Sequence, residues 1–147
     1  MKYIYALLLL VFTAIPSWAE QPVLSVRATY ESGTISATIT NISMNTLTLS
    51  EMSCSKEDEW TMESPFLFFK NSNCRKNFPK DFILLPGNSH SVSLEIEPGT
   101  NAPNEDIRFR IGYLAHQEYA LLGSKRESLD GAPFWSNELV YPSRLSH

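Results

Sequence analysis

The sequence predicts an all-β fold, a single antiparallel β-sandwich of about seven short strands, and three observations predict it. Apolar residues recur at every second position along most of the chain after residue 20, which is the period of a half-buried strand. Turn residues separate these alternating runs. No run carries a convincing helical period, so we expect the strands to pack as antiparallel layers.

The first two strands are predicted to form a hairpin. Apolar and polar residues alternate over 24–30 and again over 35–39, and Glu31-Ser32-Gly33 between them is a turn signal. Residues 41–45 interrupt the alternation, which resumes at 46–52 as a third predicted strand. This part of the chain is therefore expected to consist of strands and turns alone.

The later strands are shorter and are predicted at 82–85, 92–96, 107–113 and 134–141. The Pro-Gly pairs at 86–87 and 98–99 end two of them, because proline fixes φ and glycine accepts a positive φ. Residues 116–131 are predicted to be a long loop with a helical turn at 118–122. Two alternatives stay open for this loop: its apolar part packs on the sandwich, or it forms a second contact surface.

The first nineteen residues are predicted to be a signal peptide. Lys2 supplies a positive charge, residues 6–15 form an apolar core, and residues 16–19 end in the small-x-small pattern that signal peptidase reads. An apolar core of this length is too short to span a bilayer, which needs about 20 residues. We therefore expect a periplasmic or secreted protein, in which residues 20–147 form one domain with no transmembrane segment after cleavage.

Composition and charge exclude two classes of protein. With 43% hydrophobic and 19% charged residues, the chain is too apolar to be disordered. Removal of Lys2 with the signal peptide leaves eleven basic against sixteen acidic residues, a net charge of −5. Nucleic acid is therefore not expected as a partner, because binding to it depends on neutralising phosphates.

Three short motifs accompany the predicted strands. They are Asn41-Ile42-Ser43 after the second strand, Leu85-Pro86-Gly87-Asn88-Ser89 before a later one, and Trp135-Ser136-Asn137-Glu138 in the last. With these motifs and its order of strands, the chain over 22–141 resembles the small immunoglobulin-like domains of bacterial periplasmic proteins. The resemblance implies an immunoglobulin-like β-sandwich, and it implies no particular function.

Cys54 and Cys74 are the only two cysteines. In an exported protein they are expected to form an intramolecular disulfide, which would stabilise the fold by about 3 kcal/mol through the loop it closes. They do not form a Cys-x-x-Cys motif, so we expect a structural bond and not a redox-active pair. The position also differs from that of the antibody disulfide, which links core strands much farther apart in sequence.

The predicted disulfide encloses a segment, residues 55–73, that is rich in acidic and aromatic residues. A covalently restrained loop loses little conformational entropy on association, so this segment is predicted to bind a partner. The candidate partner-binding residues are Glu57, Asp58, Glu59, Trp60, Phe66 and Phe68. The alternative is an edge hairpin whose aromatic side chains complete the core.

No motif for catalysis stands out, so we expect no enzymatic activity and no cofactor. The three histidines lie on a strand edge (His90), in a loop (His116) and at the terminus (His147), and the chain has no Gly-x-Ser-x-Gly, no His-Glu-x-x-His and no glycine-rich phosphate loop. The three acidic residues at 57–59 could pair as acid and base, but the pattern favours a solvated turn.

Copper binding is the weakest of the alternatives. The sequence offers soft or imidazole ligands at Met44, Met52, Met62 and His90. Periplasmic copper chaperones of similar size carry a His-x-Met pair after the late Pro-Gly turn, whereas Thr100-Asn101 follows that turn here. We therefore expect the methionines to fill the core and no metal to bind.

The function predicted from these observations is that of an exported, non-enzymatic protein-binding module. The most specific version is an inhibitor or immunity protein of a cell-wall-degrading enzyme, since many such hydrolases are basic and the segment at 55–73 is acidic and aromatic. The alternative is a structural or accessory subunit of an envelope or surface assembly, joined through an exposed strand edge.

Overall fold

The structure, a computed structural model, describes residues 23–72, 74–118, 126–128 and 132–143. These residues form antiparallel sheets, with one 3₁₀ turn at Lys56–Glu59. The strands are β1 (Leu24–Glu31), β2 (Thr34–Asn41), β3 (Leu47–Met52), β4 (Trp60–Met62), β5 (Leu67–Phe69), β6 (Pro79–Leu84), β7 (Ser89–Pro98), β8 (Ile107–Phe109), β9 (Ile111–Tyr113), β10 (His116–Glu118), β11 (Arg126–Ser128), β12 (Phe134–Trp135) and β13 (Leu139–Tyr141).

The predicted all-β antiparallel class is confirmed, and the described residues contain more strands than the seven expected. One sheet has the order β1-β2-β7-β5, a second has the order β12-β9-β4, and the pairs β13-β8, β3-β6 and β10-β11 complete the fold. The additional strands have two origins. Two predicted strands are each divided in two, and β4, β5, β10 and β11 are too short for a two-residue period to be recognised.

The predicted hairpin of β1 and β2 is confirmed. The two strands pair from Leu24↔Asn41 to Glu31↔Thr34, so only Ser32 and Gly33 form the turn. Both turn residues have a positive φ, 49° and 86°, as a type I′ turn requires. The turn therefore joins the strands with the twist that an antiparallel pair needs.

A β-bulge divides the last predicted strand and its partner. Trp135 pairs with Gly112, whereas Leu139 pairs with Phe109, so three residues of one strand lie opposite two of the other. The backbone N–H of Ser136 donates to the carbonyl oxygen of Ile111 at 2.8 Å. The extra residue re-aims the chain at 136–138, which is why the predicted strands 107–113 and 134–141 each appear as two.

The sheets share one hydrophobic core. The inward-facing residues of the four-stranded sheet alternate with exposed ones along each strand, as the sequence predicts. They pack with buried residues of the remaining strands in a single cluster, whose largest members include Ile35, Ile39, Phe109, Ile111 and Tyr113.

The part of the fold that the structure describes is elongated along its strands, and β7 runs from one end of it to the other. At the first end, the backbone N–H of Asn41 bonds to Asn88 and the N–H of Gly87 bonds to Asn41. At the second end, the N–H of Ile96 donates to the carbonyl oxygen of Gly33 at 2.9 Å. The ten residues of β7 therefore separate the two ends by about 30 Å.

Several predictions lie wholly or partly outside the described residues. These are the signal peptide at 1–19 and most of the loop at 116–131, including the greater part of the predicted helical turn at 118–122. The described ends of that loop are not irregular, because β10 and β11 pair from His116↔Ser128 to Glu118↔Arg126. Among the described residues, no helix is long and apolar enough to cross a membrane.

Candidate functional site

The predicted disulfide is present and closes the acidic, aromatic segment at its base. Cys54 and Cys74 are bonded, with their Cα atoms 6.1 Å apart. Beside the bond, the backbone N–H groups of Cys54 and Ser55 both point at the side-chain oxygen of Asn77, at 3.3 and 3.5 Å. The two arms of the segment are therefore held together by a covalent bond and by hydrogen bonds next to it.

The acidic turn at 57–59 is not the solvated turn that the sequence predicts. Glu57 is buried, and its carboxylate accepts hydrogen bonds from the backbone N–H and from the hydroxyl of Ser72. Glu59 is buried as well, and only Asp58 is exposed. A carboxylate tolerates burial when such donors replace water, so Glu57 ties the two arms together and is not available to a partner.

Trp60 is also buried, with 6% of its surface exposed. As the first residue of β4 it pairs with Tyr113 of β9, and the two rings pack with their centroids 5.1 Å apart. Burial raises the pKa of the Tyr113 hydroxyl, and the negative charges of Glu59 and Glu51 act in the same direction. Trp60 therefore completes the core, in agreement with the alternative prediction of an edge hairpin whose aromatic side chains pack inward. Its buried side chain offers no surface to a partner.

The exposed aromatic residue of the segment is Phe68. Its side chain lies on the outer face of β5, opposite Glu97, and is 52% exposed. The ring lies against the backbone of Gly99, where a Cβ atom would be only 2.7 Å from the ring. Phe66, two residues earlier, is half-buried against the core. Of the six predicted binding residues, Phe68, Asp58 and part of Phe66 therefore face solvent.

A groove of about 290 Å³ lies beside Phe66. One wall belongs to the disulfide-closed segment and the other to the residues that precede and begin β8. We name this surface the acidic groove and define it by Glu63, Pro65, Phe66, Glu105, Asp106 and Arg108. The acidic and aromatic character that the sequence predicts thus appears at the far end of the segment, at residues 63–68 and not at 57–60.

The charges around the groove are unbalanced. Arg110 donates two hydrogen bonds to the carboxylate of Glu63, at 2.8 and 2.7 Å, which hold the pKa of Glu63 below its usual value. Arg108 is likewise neutralised by an ion pair with Glu138. Glu97 and Glu105 have no ion pair among the residues that the structure describes, so the surface around Phe66 and Phe68 keeps a net negative charge.

Of the four candidate copper ligands, Met52 is half-buried at the end of β3, where it pairs with Pro79. Met44 is exposed in the loop after β2, and Met62 packs against the core. His90 contacts the carboxylate of Glu51 at 3.1 Å and stacks on Phe82. Across the described ranges, no group of three or more His, Cys, Asp or Glu residues is placed to hold a metal ion.

Sequence patterns did not reveal the second wall of the groove. Glu105 and Asp106 read as a charged turn before a strand, and only the folded chain brings them beside Phe66, some forty residues away. A scan of protein-family models and a search of the curated proteins found no match for the chain. The function is therefore inferred from the shape and charge of the protein's surface.

Proposed function

We propose that the protein is an exported, non-enzymatic binding module with an immunoglobulin-like β-sandwich fold. Two strand orders support the fold, because β1-β2-β7-β5 and β12-β9-β4 correspond to the four- and three-stranded sheets of constant-type immunoglobulin domains. The disulfide supports a periplasmic or secreted location, because such bonds persist in oxidising compartments. The apolar stretch at 6–15 supports export.

The proposed partner is a basic protein, and the observation that carries this proposal is the acidic groove at Phe66, with the exposed Phe68 two residues further along the chain. An aromatic side chain that enters a pocket of the partner supplies affinity, while unpaired carboxylates around it speed the encounter with a positively charged surface. The most specific form of the proposal is an inhibitor or immunity protein that occupies the cleft of a basic cell-wall-degrading enzyme.

A capture experiment with a matched control tests the groove. The exported protein, purified and immobilised, is expected to retain one basic protein from a periplasmic extract, identified by mass spectrometry. Phe68→Ala is expected to weaken that interaction at least tenfold, because an exposed aromatic anchor contributes about 2 kcal/mol or more. The control is Phe78→Ala, since Phe78 is similarly exposed, at 60%, but its backbone bonds to Ser53 beside the disulfide and not to β5 or β7.

Two results would count against this proposal. If both phenylalanine variants weaken capture equally, Phe68 is not the anchor of the contact. If the captured protein degrades purified cell walls at the same rate with and without stoichiometric amounts of the exported protein, inhibition is excluded and only binding remains.

One observation favours the second candidate, an accessory subunit of an envelope or surface assembly. Because the carbonyl oxygen of Val23 accepts from Ile42, the backbone groups of Leu24 and Val26 point away from β2. No strand of the described residues pairs with this outer edge of β1, although the side chain of Asn137 occupies it at Ala28 and so limits the open part to Leu24 and Val26. An edge of this kind accepts a strand from another chain, and cross-linked multimers in envelope fractions, without a basic partner, would favour this candidate.

A further inference from the structure

An array of hydroxyl side chains covers the outer face of the four-stranded sheet. Along β1, β2 and β7, buried residues alternate with residues that face away from the core. The pairing register places nine of these outward residues in three rows, each with one residue from β1, one from β2 and one from β7. Eight of the nine are serine or threonine, and we name the nine residues the hydroxyl face. The rows are Ser25-Thr40-Ser89, Arg27-Thr38-Ser91 and Thr29-Ser36-Ser93.

The hydroxyl face has an unusual composition for an exposed surface. Charged residues make up about a quarter to a third of a typical soluble surface, and other exposed parts of this fold carry ion pairs, Arg108 with Glu138 and Arg110 with Glu63. The hydroxyl face holds a single charged residue, Arg27, and no aromatic or aliphatic side chain. A charged partner would therefore find few counter-charges there, and a protein partner would find no apolar anchor.

Hydrogen bonds between neighbouring strands hold part of this array in place. The hydroxyl oxygen of Thr38 lies 2.9 Å from that of Ser91, and the hydroxyl oxygen of Thr40 lies 2.8 Å from that of Ser89. A hydroxyl group can donate one hydrogen bond and accept two, so each paired hydroxyl keeps capacity for a ligand. Because these side chains are already ordered, a ligand that bonds to them loses little conformational entropy in the protein.

A groove of about 250 Å³ lies at one end of the hydroxyl face, beside the turn between β1 and β2. Thr29 and Ser36 stand opposite each other in it, and neither side chain makes a hydrogen bond with any residue that the structure describes. Glu31 also lines the groove and has no ion pair within the described ranges. The groove therefore offers a ligand two unpaired hydroxyls and a carboxylate, with the guanidinium of Arg27 on the same strand as Thr29.

We propose that the hydroxyl face binds a neutral polysaccharide, with one sugar residue seated in the groove between Thr29 and Ser36. Sugar hydroxyls donate and accept hydrogen bonds as serine and threonine do, while the carboxylate of Glu31 accepts and the guanidinium of Arg27 donates. An extended chain crosses several rows, so that weak contacts add. A second copy of the protein fits less well, because two hydroxyl faces brought together bury little apolar surface. The proposal does not rest on the acidic groove.

Sedimentation with insoluble polysaccharides tests this proposal. The exported protein is mixed with three neutral polymers, namely cellulose, chitin and cross-linked dextran, and with carboxymethylcellulose resin as the charged comparison. We expect at least one neutral polymer to retain the protein equally well at low and at high salt, because no ion pair is involved. The double variant Thr29→Val with Ser36→Ala is expected to weaken this binding at least fivefold, since each hydrogen bond contributes about two- to tenfold.

The double variant should fold, since both side chains are exposed and valine favours strands, and its thermal unfolding is measured in parallel. Thr46→Val with Thr100→Val removes two exposed hydroxyls outside the strands and serves as the control, with binding expected within twofold of the unmodified protein. The proposal is overturned if none of the three neutral polymers retains the protein, if high salt abolishes retention, or if the double variant binds as well as the control. No residue of the acidic groove is changed, so these outcomes do not bear on the proposed protein partner.

Discussion

Tyr113 is the residue in which core packing and ionisation are most closely linked. Its hydroxyl is buried beside Trp60 and makes no hydrogen bond with any residue that the structure describes. A buried hydroxyl without a partner stabilises the fold little, because dehydration of the group offsets the packing of the oxygen. The same burial raises its pKa above the ordinary value of 10.0.

We therefore predict that Tyr113→Phe leaves stability at pH 7 unchanged or raises it by about 1 kcal/mol. A raised folded-state pKa contributes stability that is complete below pH 10.0 and is lost as the pH rises through the folded value, because the unfolded chain ionises first. Urea unfolding at pH 7 and at about pH 11 should show a smaller alkaline loss for the variant. Equal losses in both proteins would contradict this assignment.

At the scale of single residues, the sequence indicated which residues of the disulfide-closed segment are unusual, but not whether their side chains face solvent or the core. It predicted a solvated turn for the acidic residues at 57–59 and left open whether Trp60 faces a partner or the core, whereas Glu57, Glu59 and Trp60 are all buried. The reason is physical. β4 has only three residues, too few for a two-residue period to indicate which side chain faces the core, and the donors of Ser72 that bury Glu57 are fifteen residues away.

At the scale of elements, Asn137 joins the bulged strand to the edge of β1. Its side-chain oxygen accepts from the backbone N–H of Ala28 at 2.9 Å, and its amide donates to the carbonyl oxygen of Ala28 at 3.1 Å. The side chain thus pairs with the outer edge of β1 as a strand would. The bulge at 136–138 allows this because it turns the asparagine toward β1.

We predict that Asn137→Ala lowers the free energy of unfolding by about 1–2 kcal/mol, because both backbone groups of Ala28 lose their partner. The measurement is urea unfolding followed by circular dichroism. Asn104→Ala removes an exposed asparagine from a loop, and we expect it to change stability by less than about 0.5 kcal/mol. A loss of the same size in both variants would show that Asn137 has no special role.

An element could be predicted when the residues that form it are close together in the sequence, and could not when they are far apart. The β1–β2 hairpin follows from local alternation and the Ser32-Gly33 turn, and both are visible in the sequence. The bulge depends on Ala28, which is 109 residues from Asn137, and no local pattern reports it. The polar residues 136–138 therefore read as part of one continuous strand.

At the scale of the whole molecule, the disulfide is the covalent constraint on the fold. We predict that replacing Cys54 and Cys74 by alanine lowers the free energy of unfolding by about 3 kcal/mol, because the unfolded chain gains the freedom of the opened loop. Unfolding in urea measures this, and reduction of the unmodified protein should give a similar loss. An unchanged midpoint in both cases would contradict a stabilising role.

The fold class and the disulfide could be predicted for the whole molecule, because alternation and cysteine count are properties of composition and order. The acidic groove could not, since its walls come from 63–66 and from 103–108 and meet only in the folded chain. The junction between the loop after β2 and the end of β6 could not be predicted either, because the buried amide of Asn41 bonds to Leu84, which is 43 residues away.

The length of β7 has a consequence for labelling experiments. Its ten residues place Phe68, beside Glu97, about 30 Å from the turn at Gly87. At physiological ionic strength, charges are screened over about 8 Å, so a charged label attached at that turn would not alter the field at the acidic groove. Such a label can therefore report partner binding without changing the electrostatic attraction that it measures.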